Sequence, residues 1–142
     1  MRVLQIDALV PQQGAMCLLD EILSFDERSV VCRTFSHRSP GNPLRCDGRL
    51  PAIAGIEYGA QAMAVHGGLR ARQSRPNGML AGVRAVRCHA RYLDDEPGPL
   101  TVRAEQLIVQ GSRLLYAFAV EGADCELVSG RIAVVLGMGT FR

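Results

Sequence analysis

The chain contains no lysine: its 16 basic side chains are all arginine, set against 14 acids. The net charge of +2 is too weak to mark a nucleic-acid surface. No Cys-x-x-Cys pair occurs among Cys17, Cys32, Cys46, Cys88 and Cys125, and five is an odd number. No signal-peptide pattern precedes them, so they read as reduced thiols in a cytoplasm. His37, His66 and His89 lack ligand spacing with those thiols, so neither a metal site nor a cofactor is expected. Internal repeats, low-complexity tracts and linkers are absent too. A length of 142 residues fits a single domain, 1–142, able to bury a sizeable core.

What the chain does have is one long apolar run, residues 50–69, reading LPAIAGIEYGAQAMAVHGGL. Pro51 suits the first turn of a helix, and the pattern predicts a helix over 52–69. Its polar side chains are few: Glu57, Tyr58, Gln61 and His66. A helix apolar on every side has to be covered on every side, by lipid or by protein. The run approaches spanning length and holds a G-x-x-x-G pair, Gly55 and Gly59. Against a membrane span stand Glu57, Gln61 and His66, since one central acid costs about 2.5–3.5 kcal/mol on insertion. A buried central helix is therefore expected, with Tyr58 packing in the core. Its glycines each lower helix propensity by about 1 kcal/mol, which points to a neighbour approaching closely.

Around this helix the chain reads as strands. Residues 3–10 suggest a short helical turn, and strands are expected at 18–25 and 29–36. Residues 37–49, with Pro40, Gly41, Asn42, Pro43 and Gly48, form a loop. Beyond the helix, Pro76-Asn77-Gly78 marks a turn and the period changes to two. Strands follow at 83–93, 100–110, 113–121 and 125–136, with a tight hairpin at Gly111-Ser112. In the first of these, Val86, Cys88, Ala90 and Tyr92 share one face, with Arg87, His89 and Arg91 on the other. In the third, Leu114, Tyr116, Phe118 and Val120 share a face. Two strands, one helix and four closely joined strands imply an antiparallel sheet curled around the helix. That is the α+β hot-dog architecture. One sheet covers only part of a helix, so a dimer is expected, pairing sheet edge to sheet edge.

Two motifs then carry a resemblance. Val10-Pro11-Gln12-Gln13-Gly14-Ala15-Met16-Cys17-Leu18-Leu19-Asp20 resembles the opening L-P-H-R-x-P-x-L-L-x-D of the β-hydroxyacyl-acyl carrier protein dehydratases. Leu50-Pro51-Ala52, Ile56-Glu57 and Ala60-Gln61 resemble that family's M-P-G, I-E and A-Q at the same spacing. The helix motif is most similar to the G-I-E-Y-x-A-Q of the divergent dehydratase-like subunits found with aryl-polyene synthesis. The resemblance implies a 3-hydroxyacyl-(acyl carrier protein) dehydratase of fatty-acid or polyene synthesis, forming 2-enoyl thioesters. Glu57 falls on the position of the helix acid that assists departure of the hydroxyl, and Gln61 on the helix Gln. The amides from Ala52 to Gly55 would polarise the thioester carbonyl.

One family element is missing. The loop from Asn42 to Pro51 is shorter than the family's, and the lost piece is the one bearing the G-H-F-P histidine. His37, upstream of the gap, is the nearest stand-in for the base; Gln12 occupies the His of the opening motif, a different site. The alternatives are a non-catalytic acyl-binding or heterodimer subunit, and an acyl thioesterase in which the helix acid activates water. The expected partners are an acyl carrier protein thioester and a second hot-dog chain, identical or different, with no nucleic acid and no membrane. Arg70, Arg72, Arg75, Arg87 and Arg91 are candidates for docking an acidic carrier.

Overall fold

The computed structural model describes residues 6, 10, 14–71 and 78–136. Gln12, Arg72, Arg75 and most of the expected turns at 3–10 and 76–78 lie outside these residues. Of the first turn, the Val10 amide donates to the Ile6 carbonyl at 3.0 Å. Strands β1 (Glu21–Phe25) and β2 (Ser29–Thr34) precede helix α1 (Gly55–Ala71). Strands β3 (Gly78–Cys88), β4 (Leu100–Gln110), β5 (Arg113–Glu121) and β6 (Glu126–Leu136) follow it. The six strands form one antiparallel sheet in the order β1-β2-β4-β5-β6-β3, wrapped around α1 as a hot-dog fold. No helix among the described residues is long and apolar enough to cross a membrane.

The helix begins later than its pattern implies. Residues Ala52–Ala54 form a 3-10 turn, and the α-helix proper starts at Gly55. Two of its glycines let the sheet close on it. A Cβ on Gly55 would lie 2.2 Å from a Val128 methyl, and one on Gly59 would lie 2.4 Å from the Phe118 ring. Gly130 of β6 yields to the same ring from the strand side, where a Cβ would come within 2.9 Å. Phe118 therefore lies between two glycines, and the helix–sheet spacing is set by a bare backbone on each side. Tyr116, Phe118 and Val120 are buried against the helix, as their alternation predicts.

The sheet does not cover the whole helix. Ile53 is 53% exposed, and Ile56, Glu57, Ala60, Met63 and Gly67 are only partly buried. These positions recur every three or four residues, so they form one stripe along α1. As expected of one sheet around one helix, this stripe is left without cover by the described residues of the chain.

Strand β3 also departs from simple alternation. It starts at Gly78, not 83, and Ala85 takes φ +56 at a register shift between Arg84 and Arg87. That bulge places Val83 and Val86, three residues apart, on the helix side. Cys88 shares the Val86 face but lies exposed.

The entry to the helix is tied down. The loop 37–49 contains a tight hairpin: Cys46 and Arg49 exchange backbone hydrogen bonds at 2.7 and 3.1 Å. Between them Asp47 and Gly48 take φ +54 and +78, as a two-residue type I′ turn requires. Asp94 then accepts from the Leu50 amide and the Arg49 guanidinium, both at 2.9 Å. Burial alone would raise the Asp94 pKa, but these bonds outweigh it and hold the carboxyl below the usual range.

At the far end of α1, His66 is fully buried. Its Nε2 is 3.1 Å from the Asp26 carbonyl and its Nδ1 is 2.6 Å from the Tyr116 hydroxyl. A carbonyl only accepts, so Nε2–H donates to Asp26, and in the neutral ring that burial favours the Tyr116 O–H donates to Nδ1. The ring is neutral in this chain of bonds. Burial pushes its pKa below the ordinary 6.5, against the Asp26 and Glu27 carbonyls that favour the charged form.

Two predictions follow from this packing. Gly59→Ala gains up to about 1 kcal/mol of helix propensity. It loses about 1–3 kcal/mol by overpacking against Phe118. The urea midpoint should fall, and Phe118→Leu should restore part of the loss. The second concerns pH. With its folded pKa depressed, His66 binds more protons unfolded, so its share of stability is full above 6.5 and lost as pH falls through the folded value. His37, also depressed, acts with the same sign. Thermal midpoints should drop from pH 7.5 to 5.5, and His66→Gln should shrink that drop.

Candidate functional site

Glu57 sits in the first turn of α1, partly buried on the uncovered stripe. Gln61 follows one turn later and is fully buried. Its amide oxygen accepts from the Leu18 amide at 2.8 Å, and its Nε2 donates to the Met16 carbonyl at 2.6 Å. The same nitrogen lies 3.5 Å from the Glu57 carboxylate, at the outer limit of a hydrogen bond. Gln61 thus clamps the segment before β1 onto the helix and holds one amide hydrogen towards Glu57. Cys17, between the two clamped residues, is brought to the same region.

Beside this clamp runs a buried polar network that the sequence reading missed. The Asn42 Nδ2 donates to the Tyr58 hydroxyl at 3.0 Å, and the Tyr58 and Ser36 hydroxyls are 2.8 Å apart. Ser36 donates on to the Leu18 carbonyl at 2.7 Å, which leaves Tyr58 as donor to Ser36. Burial pushes the Tyr58 phenol pKa up, more than its bonds to Ser36 and Asn42 lower it. Tyr58 does pack, as expected, but it also ties the helix to the chain after β2. Asp20, the acid of the opening motif, accepts from the Phe35 amide at 2.7 Å and secures the same end. An open hollow of about 350 Å³, lined by Cys17, Asp20, Phe35, Ser36, Ser39, Gly41 and Asn42, lies over this network. A larger hollow, about 590 Å³, opens instead on the far face of the sheet. Volume does not decide between them; the side chains with candidate chemistry lie around α1.

The other sequence candidates take definite places. His37 lies in a 3-10 turn, Ser36–Arg38, and is fully buried, not at the solvent-facing loop position usual for a strand end. Its Nε2 donates to the Glu96 carbonyl at 3.0 Å, and its Nδ1 is buried without a hydrogen-bond partner. Burial pushes its pKa down, outweighing the Glu96 and Gly98 carbonyls, so the ring is neutral. Of the amides expected to face a thioester, those of Ala52, Ala54 and Gly55 are engaged within the chain. That of Ala52 donates to the Arg91 carbonyl at 3.0 Å, that of Ala54 to Pro51 at 3.0 Å, and that of Gly55 to Ala52 and Ile53. His89 is exposed and pairs with Glu126 at 3.1 Å. Among the described residues, no group of three His, Cys, Asp or Glu side chains could hold a metal ion.

Comparison with known proteins agrees with this frame. No curated protein matches the chain. Among solved structures, the dehydratase heterocomplex ApeI:P from Xenorhabdus doucetiae superposes with a TM-score of 0.81 at 25% identity. That match covers 95% of this chain and 92% of the other. AziG from S. sahachiroi gives 0.67 at 13% identity, over 90% of this chain and 97% of that one. A mutant thioesterase from Pseudomonas aeruginosa gives 0.64 at 15%, over 96% of each chain. The last two share the fold alone. A family profile, ApeP-like, described as ApeP dehydratase, matches residues 4–138. On that match, which takes in the whole helix and all six strands, the chain belongs to the ApeP-like family of dehydratases.

Proposed function

We propose that this chain contributes the acid, Glu57, to a site that dehydrates 3-hydroxyacyl thioesters borne on an acyl carrier protein. It does so as one half of a cytoplasmic dimer with a second, different hot-dog chain. The observation that carries this reading is the placing of Glu57. It is an acid on the one uncovered stripe of a core helix, one turn before a glutamine locked to the backbone at 16–18. In the reaction a base removes the proton on C2, and that electron pair becomes the C2–C3 double bond. The C3–O bond breaks, and the hydroxyl leaves with the Glu57 proton as water. Gln61 is a positioning residue, aiming Glu57 while holding the segment before β1.

The partner supports the other half of the chemistry. The short I′ hairpin at Asp47-Gly48 closes the loop that, by its resemblance to the dehydratases, lacks their G-H-F-P histidine. Among the described residues, the outer edge of β3 has no neighbouring strand and the stripe from Ile53 to Gly67 lacks cover. A second hot-dog chain would extend the sheet at β3, cover the stripe and bring the base. A competing reading assigns the base to His37, and its neutral ring with a bare Nδ1 favours it. The thioesterase reading has less support, resting on structural neighbours of low identity.

The experiment is enoyl formation from 3-hydroxyacyl carrier-protein thioester by the complex with its partner chain. Glu57→Gln should lower turnover by about 10²–10⁴-fold with unchanged unfolding. A rate equal to wild type removes the acid role. His37→Asn should leave turnover intact; a comparable loss there makes His37 the base. Gln61→Leu leaves the Met16 carbonyl and the Leu18 amide unpaired. It should cost about 1–3 kcal/mol of stability, read from the urea midpoint.

A further inference from the structure

The face of the sheet turned away from α1 carries charge that no described residue neutralises. Arg131 on β6 stands directly opposite Arg84 on β3, and one row along Arg87 is opposite Ser129. Like charges directly opposite across a ladder repel. Both Arg84 and Arg131 are exposed. Among the described residues, Arg84, Arg87 and Arg131 have no hydrogen-bond or ion-pair partner. The acids nearby do not pair with them. Glu105 lies two strands from Arg131, across Ala117, and makes no ion pair with it. Glu121 is taken by Arg103 at 3.0 Å, and Glu126 by His89.

Between the arginines the floor is small: Ala117, Ala119 and Ser129 leave an open hollow of about 590 Å³. Beyond the basic rows the same face turns apolar, with Ile108 51% and Val135 37% exposed. An enclosed pocket buries most of a small ligand, and this open hollow does not. A flat bilayer would not enter it, and a nucleic acid would gain nothing from the apolar rows. A protein surface that mixes carboxylates with apolar side chains matches both halves.

We propose that this outer face, centred on Arg84, Arg87 and Arg131, docks an acidic surface of the acyl carrier protein. The proposal rests on the reading that the thioester arrives on such a carrier. It relocates the dock expected from sequence: Arg87 belongs to it through β3 and β6, together with two arginines that linear spacing did not group. Pairing of a partner chain at the β3 edge leaves this face open.

The test is fluorescence anisotropy of labelled carrier protein against the complex of this chain with its partner subunit. Arg84→Glu with Arg131→Glu should weaken binding at least tenfold, Glu105→Arg should tighten it, and wild-type affinity should fall steeply with salt. The same double variant should raise KM for carrier-borne substrate with kcat unchanged. Turnover of the same acyl group on free pantetheine should not change. Circular dichroism checks that the reversed variant is folded, and Arg131→Gln serves as the milder substitution. A Kd within twofold of wild type in the charge-reversed protein overturns the dock. So does loss of binding to phosphatidylglycerol vesicles with carrier affinity unchanged. If wild type binds carrier through these arginines but dehydrates neither substrate, the catalytic reading fails and the dock stands.

Discussion

A helix without a polar side cannot be enclosed by one curled sheet, and the rest of this molecule is arranged around that shortfall. The sheet takes what it can by pressing close. Phe118 lies against bare backbone at Gly59 and Gly130, and Val128 does the same at Gly55. Each glycine weakens the helix or strand locally, and the contact recovered is a buried aromatic ring, worth roughly 1.5–3 kcal/mol. What remains uncovered is a narrow stripe, and the acid lies on it. An acid on the covered side would have lost its water without gaining a substrate.

The position of the acid depends on two restraints at the helix start. On one side, the Asp94 carboxylate gathers Arg49 and the Leu50 amide, and the Ala52 amide is bonded to Arg91. On the other, Gln61 and Tyr58 fasten the helix to residues 16–18 and to Ser36 and Asn42. Buried amides and hydroxyls left unpaired are costly, so every one of these bonds also fixes a direction. The 3-10 turn at Ala52–Ala54 engages the amides of Ala54 and Gly55, which a free helix start would offer to a ligand.

Much of this is legible in the sequence. The bounds of β4 and β5 agree with the sequence pattern residue for residue, although a bulge between Gln106 and Ile108 shifts the register within the pair. Glu57 and Gln61 were legible as an exception in an apolar run. Four things were not. The bulge at Ala85 needs a positive φ at a residue that gives no warning of it, so β3 began five residues early and its register was hidden. The I′ turn was announced by Asp47-Gly48, yet the surrounding prolines and glycines made the whole stretch read as loop. The Gln61 clamp joins residues 43 and 45 apart in sequence, and no local pattern encodes that. The burial of His37 is likewise a tertiary fact, made by the 3-10 turn after β2 and the Glu96 carbonyl.

The same stripe bears on which partner would suit the chain. Two identical copies joined about a two-fold axis place the same patch against itself. Here that patch is Ile53, Ile56, Ala60, Met63 and one carboxylate, so a homodimer would carry two acids and no second kind of group into its shared interface. Dehydration needs an acid and a base of separate character. Within this chain the base candidate, His37, is enclosed, whereas Glu57 is accessible. A partner with the same sheet edge but an imidazole on its own loop would satisfy three demands at once: cover for the apolar stripe, a neighbour for the β3 edge, and a proton acceptor opposite the acid. On these grounds the proposed assembly is a heterodimer in which the two catalytic groups are divided between chains.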